Sequence, residues 1–229
     1  MLRRWENLPE FMRTDEIRPY WEILWKLRFS IFLKRVLDII IAQILLIILV
    51  VPMFVISVAI KLDSPGPVIY RQRRVTKYGK IFRIHKFRTM IQDADRFGSS
   101  VTSSEDFRIT KIGKKIRKLR LDELPQIFDV LEGNMSFVGA RPEVIKYVKH
   151  YKHEYYATFL MPAGITSEAS IKYKDEDRLL TSMQNIDQVY IEKILPEKMK
   201  WNLEGIKRFG VLRDAVILFR TVFAVLGKD

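Results

Sequence analysis

The stretch VLDIIIAQILLIILVVPMFVISVAI, from Val36 to Ile60, contains no ionisable residue except Asp38 near its start. A run of this length meets the roughly 20 apolar residues needed to cross a bilayer, so a membrane segment is expected. Three features favour a segment that enters and returns over one that crosses. Lys34 and Arg35 precede the run, and Lys61, Arg71, Arg73 and Arg74 follow it; basic flanks prefer the cytoplasmic side, so both ends want the same face. Pro52, past the middle, removes a backbone hydrogen bond and crowds the preceding turn, which can bend a helix. Asp38 is costly near a membrane boundary without a partner, and Arg35 lies at i, i+3 before it. Residues 34–62 are therefore expected to form a re-entrant helix-break-helix, with Lys34, Arg35 and Asp38 as its anchor and Pro52 as its break. The run starts too late and is too long for a cleavable signal peptide. Residues 1–33 mix bases with Trp5, Phe11, Tyr20, Trp21 and Trp25, which suits a headgroup boundary as well as a helix packed on the body.

The chain has 229 residues, enough for one substantial domain with a membrane anchor. Its 40 Lys and Arg against 27 Asp and Glu point to an anionic partner: nucleic acid, anionic lipid or a phosphorylated substrate. Nucleic acid is disfavoured, since the bases are not interleaved with stacking aromatics in a recognisable binding module. With no cysteine there is neither a disulfide nor a thiolate metal site, and His150 and His153 lack a nearby set of further ligands.

Beyond the membrane run, Asp63-Ser64-Pro65-Gly66-Pro67 is a turn cluster that marks a boundary, so that three units are expected: an N-terminal interfacial extension at 1–33, the membrane helix at 34–62 and a cytoplasmic portion at 63–229 that ends in amphipathic helices. Val68-Ile69-Tyr70 and Ile81 to Phe87 flank Tyr78-Gly79 and suggest a short hairpin. Polar residues 93–107, with Gly98, Ser99, Ser100, Ser103 and Ser104, read as a surface loop. Lys111 to Arg120 is a basic amphipathic helix, and Gly205 to Leu226 has apolar helical spacing interrupted by Arg213, Asp214 and Arg220, so surface attachment or core packing suits it better than a second span.

Leu121-Asp122-Glu123-Leu124-Pro125-Gln126 follows the basic helix directly. Pro125 suits only the first turn of a new helix, which puts Asp122 near an N-cap, and capping alone would explain both acids. Between a basic helix and a helix start, however, two adjacent carboxylates also suit phosphoryl transfer. One can attack phosphorus and the other can hold the Mg²⁺ that neutralises a diphosphate. Gly133 to Glu143 adds glycines that permit close backbone approach and Arg141, a planar fork for phosphate. Lys86-Phe87-Arg88-Thr89-Met90 supplies two further cations.

Taken together, Lys34-Arg35 with Asp38, Ser64-Pro65-Gly66-Pro67, Lys86-Phe87-Arg88-Thr89-Met90, Leu121 to Gln126 and Met135-Ser136-Phe137-Val138-Gly139 resemble the monotopic phosphoglycosyl transferase superfamily. These are bacterial sugar transferases that act on polyprenyl phosphate, and the resemblance spans roughly residues 31–229. It implies an α+β, mainly helical fold: a re-entrant helix, a short β-hairpin and amphipathic interfacial helices around a small catalytic domain on the cytoplasmic face of the bacterial inner membrane. It further implies a UDP-sugar donor, a polyprenyl (undecaprenyl) phosphate acceptor, Mg²⁺ as cofactor, and ping-pong chemistry with a covalent phosphosugar on Asp122. Glu123 matches the magnesium-holding partner; Lys86, Arg88, Arg117 and Arg141 match phosphate-binding positions. A homo-oligomer is compatible with the sequence. Val51-Pro52 replaces a frequent serine-proline, and Met161 to Thr166 lacks the family's arginine, in a region expected to touch sugar or nucleotide.

Overall fold

The computed structural model describes residues 2–94, 106–174, 186–225 and 227. Most of the polar 93–107 loop, Leu226 and Lys228 thus lie outside the described residues. The architecture is mainly helical. Helix α1 (Arg18–Lys26) leads into the long α2 (Arg28–Asp63), and strands β1 (Ile69–Val75) and β2 (Ile81–Phe87) pair antiparallel, as the alternation in β2 predicts. The hairpin tip takes positive φ at Tyr78 and Gly79. Helix α3 (Lys111–Lys118) follows, then a 3-10 turn at Leu121–Glu123 and α4 (Gln126–Leu131). Strand β3 (Met135–Val138) pairs in parallel with β4 (Ala163–Thr166), on either side of the short α5 (Ile145–Val148). Helices α6 (Glu168–Lys172), α7 (Ile186–Val189), α8 (Leu195–Lys207) and α9 (Val211–Val225) complete the chain, with a π-helical turn at Tyr190–Ile194 between α7 and α8.

Helix α2 runs through Pro52 without interruption. The expected break is therefore not a gap in the helix: proline removes only its own bond to the carbonyl four residues back, and the flanking apolar residues keep helical backbone. One turn later the Ser57 hydroxyl donates to the Met53 carbonyl at 2.7 Å, a back-bond that favours curvature. Only 11% of the most apolar 18-residue stretch of α2 is buried, whereas a soluble core helix would be mostly covered. Ile40, Ile44, Ile47, Ile48, Val51, Phe54 and Val55 are exposed, and α9 adds exposed Leu212, Val216, Phe219, Val222 and Phe223 at helical spacing. The opposite side of α2 packs on the body along its length, from Ala42 and Leu45 against Phe82 and Ile127 to Met53 and Ile60 against Phe87 and Ile116.

Both ends of α2 are tied to this same body. Arg35 donates to the Val130 and Leu131 carbonyls at 2.7 and 3.2 Å, and Asp38 accepts from the Phe137 amide at 3.4 Å. Lys34, buried, lies 2.6 Å from Asp214 and 3.9 Å from Asp38. At the far end Asp63 accepts from the Ile112 amide at 2.9 Å. Residues 2–24 join the larger core: Leu2, Leu8, Met12, Ile17, Tyr20 and Leu24 are buried with Tyr147, Leu160, Tyr190 and Met199. The tryptophans of this segment pack there too, Trp21 stacking on Trp25 and meeting Trp5 edge-on.

Candidate active site

Helix α3 begins with a Thr110 cap, whose hydroxyl accepts from Gly113 N at 3.0 Å, and it buries Gly113 and Ile116. Gly113 is required by packing, because a Cβ there would stand 2.1 Å from the Thr89 carbonyl oxygen. That close approach brings α3 against the end of β2. The chain then reverses at Arg120, which adopts φ +55°, a left-handed conformation rare for a residue with a side chain. The acidic pair follows at once.

Asp122 is 8% exposed and lies within the 3-10 turn, not at a helix cap. The N-cap of α4 is Pro125, and no side chain caps it, so capping does not account for the acids. No hydrogen bond to the Asp122 side chain occurs among the described residues. Burial pushes its carboxyl above the ordinary range, with Lys86 acting in the opposite direction and Glu123 reinforcing the rise; Arg117 and Arg120 add further opposition. Glu123 is the reverse case. Burial alone would raise it, but Arg141 and then Lys86 hold it well below the usual carboxylate range. Arg141 grips it with both guanidinium nitrogens, Nη1 at 3.1 Å from Oε2 and Nη2 in a shorter contact with Oε1. Lys86 Nζ lies 3.2 Å from the same Oε1, and Arg120 3.9 Å away.

Strand β2 supplies Lys86, the Leu121–Glu123 turn the two acids, and the loop after β3 supplies Arg141. That loop is held where Gly139 and Gly164 meet: a Cβ on Gly164 would lie 2.1 Å from Gly139 N. Arg141 also lines a small cavity with Thr76, Tyr151, Thr158 and Phe159.

The structure thus brings Asp122, Glu123, Lys86, Arg117 and Arg141 together. Arg88 is placed elsewhere, donating to the Pro65 carbonyl and to the Ser64 carbonyl and hydroxyl at 2.7–2.9 Å, where it fastens the turn after α2. Two further residues belong to the neighbourhood. Arg120 is marked only by its adjacency to the acids. Arg74, bonded to Gln72 and to the Pro142 carbonyl, acts electrostatically on Lys86; its signal is the alternation of β1, too common to single it out.

An acidic pair ringed by cations, set against a long and largely uncovered apolar helix, defines a membrane-associated protein with a site suited to phosphorylated ligands. Residues 29–228 match the model of the bacterial sugar transferase family, and the chain belongs to that family. It is 36% identical over 203 residues to the UDP-N-acetylgalactosamine-undecaprenyl-phosphate N-acetylgalactosaminephosphotransferase of Aeromonas hydrophila, covering 85% of this chain and 44% of that protein. It is 35% identical to the UDP-glucose:undecaprenyl-phosphate glucose-1-phosphate transferase of Escherichia coli, with 83% of this chain and 39% of that one covered. A protein of the same description from Caulobacter vibrioides is 31% identical, with 86% and 70% covered. The chain therefore spans less than half the length of the first two relatives.

Proposed function

We propose that this chain transfers a sugar 1-phosphate from a UDP-sugar to undecaprenyl phosphate, with Asp122 as nucleophile. The observation that carries the reading is the contrast within the acidic pair. Glu123 is saturated by cations, while the Asp122 carboxylate is buried, lacks a hydrogen-bonded partner among the described residues and is pushed toward greater basicity. A buried, more basic carboxylate near cations suits attack on phosphorus. An Asp122 oxygen bonds to the phosphorus that bears the sugar, the bond to the bridging oxygen breaks, and UMP leaves with the bond's electrons. A phosphate oxygen of the acceptor then attacks the same phosphorus, the bond to Asp122 breaks, and the carboxylate is restored. Arg141 and Lys86 orient the phosphates and offset their charge.

Carboxylate oxygens are the donors Mg²⁺ prefers, and Glu123 is the residue proposed to hold it. The ion would neutralise the diphosphate. In the structure both Glu123 oxygens are engaged by Arg141, and one also by Lys86. A bound diphosphate would compete for these cations and release Glu123 for the metal.

The tethering of both ends of α2 supports a re-entrant arrangement on the cytoplasmic face of the inner membrane. A straight helix of 36 residues would be about 54 Å long, well beyond a hydrocarbon core of roughly 30 Å, and would set its ends on opposite sides. Here one polar body holds both Arg35 and Asp63.

The test is UMP release from a panel of UDP-sugars by purified protein in nanodiscs. Release that requires both undecaprenyl phosphate and Mg²⁺ for turnover is expected with at least one donor. Absence of release with every donor, from folded protein, would sink the proposal.

A further inference from the structure

Gln126 is fully buried, and neither its amide nitrogen nor its amide oxygen has a hydrogen-bond partner. A buried amide in this state is costly, and its place in the fold bears on why it is retained. It is the first residue of α4, four residues after Asp122 and three before Asp129. Gln126 and Asp129, at i and i+3, share one side of α4, and the helical backbone at Leu124 and Pro125 leads into it from the 3-10 turn that holds Asp122. The contacts of Asp129 turn that side of α4 toward β2. The Asp129 carboxylate accepts from the His85 amide and meets the His85 ring, each at 2.9 Å, while Asp122 feels Lys86, the next residue of β2. Along the chain Gln126 lies between Asp122 and Asp129, and its side chain is buried in this part of the fold.

We infer that Gln126 is a substrate-contacting residue, whose amide N–H donates to a non-bridging oxygen of the phosphoryl group as that group is passed to and from Asp122. The inference rests on the transferase reading and deepens it. Lys86 and Arg141 must be drawn off Glu123 before they can serve the phosphoryl oxygens. The Gln126 amide has no such competitor and adds no charge to a site already crowded with cations. A preorganised neutral donor at the point where negative charge gathers is a strong contributor to such transfers.

The alternative is that the amide matters only to the fold, and stability and activity separate the two. Gln126→Met keeps the length of the side chain and removes both polar atoms; Gln126→Leu is a second apolar variant. Replacing an unsatisfied buried amide with an apolar group should leave the melting temperature unchanged or raise it by about 2–4 °C. UMP release should nevertheless fall by about a hundredfold, carried by kcat with KM for the UDP-sugar nearly constant. Turnover within about threefold of wild type in either folded variant would overturn the inference. So would a melting temperature lowered in both variants, or failure of both to fold, since the amide would then be a structural group. Wild-type protein inactive with every donor would sink the transferase reading itself; an active wild type alongside an active Gln126→Met sinks only the role of Gln126.

Discussion

Replacing Glu123 with glutamine should destabilise the protein before any substrate is added, by an amount the structure allows to be worked out. The Glu123 side chain is 10% exposed and is the shared anion of Arg141, Lys86 and, more distantly, Arg120. Glutamine keeps one acceptor oxygen but turns an NH₂ toward these donors and leaves the cations facing one another. Removing one partner of a buried ion pair costs about 3–5 kcal/mol. Water reaches Arg141 and Arg120, whose side chains are 26% and 43% exposed, so the lower end applies, about 3 kcal/mol. For a chain of this size that is a fall of about 6–12 °C in melting temperature. The assay is thermal unfolding in nanodiscs without nucleotide, repeated with pyrophosphate, which can take the carboxylate's place and should narrow the gap. The pH dependence has a definite sign. The carboxyl is held well below its ordinary value in the folded protein, so its contribution is present above about pH 4.5 and is lost as pH falls through the lower folded value. The gap between wild type and variant should stay constant from pH 8 to 6 and close only in strong acid. A melting temperature within about 2 °C of wild type at pH 7 would refute this account of the cradle.

Other outcomes follow from charges elsewhere. Lys34→Met should strand Asp38 and Asp214 in a buried site and cost about 3–5 kcal/mol, with Asp214→Asn restoring part of the loss; a double-mutant cycle by thermal unfolding measures the coupling. Lys77 is lowered to about 8, chiefly by burial and then by Arg3. The unfolded chain therefore binds the extra proton above that pH, stability should rise from about pH 8 to 10, and Lys77→Met should flatten that part of the rise. Because the native chain has no cysteine, single cysteines at Asn7 and Lys228 can be labelled cleanly. Both should react only from the cytoplasmic side of intact cells; labelling of position 7 from outside and 228 from inside would mean that α2 spans.

Much of the candidate site's clustering is legible in the sequence because its charged residues are concentrated in short segments: the two acids, Lys86 and Arg141 all lie in motifs whose residue types suit phosphate, and the hairpin shows in the alternation of Ile81 to Phe87. Arg88 lies apart from the acids for a physical reason. It is two residues from Lys86, the spacing of one strand face, but β2 ends at Phe87, and beyond the strand the Ser64 and Pro65 carbonyls are the available acceptors. Asp122 falls short of the helix N-cap that Pro125 suggests, because it lies in a 3-10 turn set off by the left-handed Arg120, ahead of α4. The packing of residues 2–24 is invisible to periodicity because 3-10 turns at Trp5–Asn7 and Glu10–Met12 break the spacing of Leu2, Leu8 and Met12. Gln126 looks like any polar helix start until its burial is known.

Asp122 itself is expected to carry the phosphosugar between the two half-reactions. Wild-type protein incubated with Mg²⁺ and an accepted UDP-sugar, without undecaprenyl phosphate, should gain the mass of one sugar phosphate, mapped by peptide mass spectrometry to Asp122. It should lose that mass when the acceptor is added, and folded Asp122→Asn should never acquire it. A phosphosugar on another residue, or near-normal turnover by Asp122→Asn, would contradict the account.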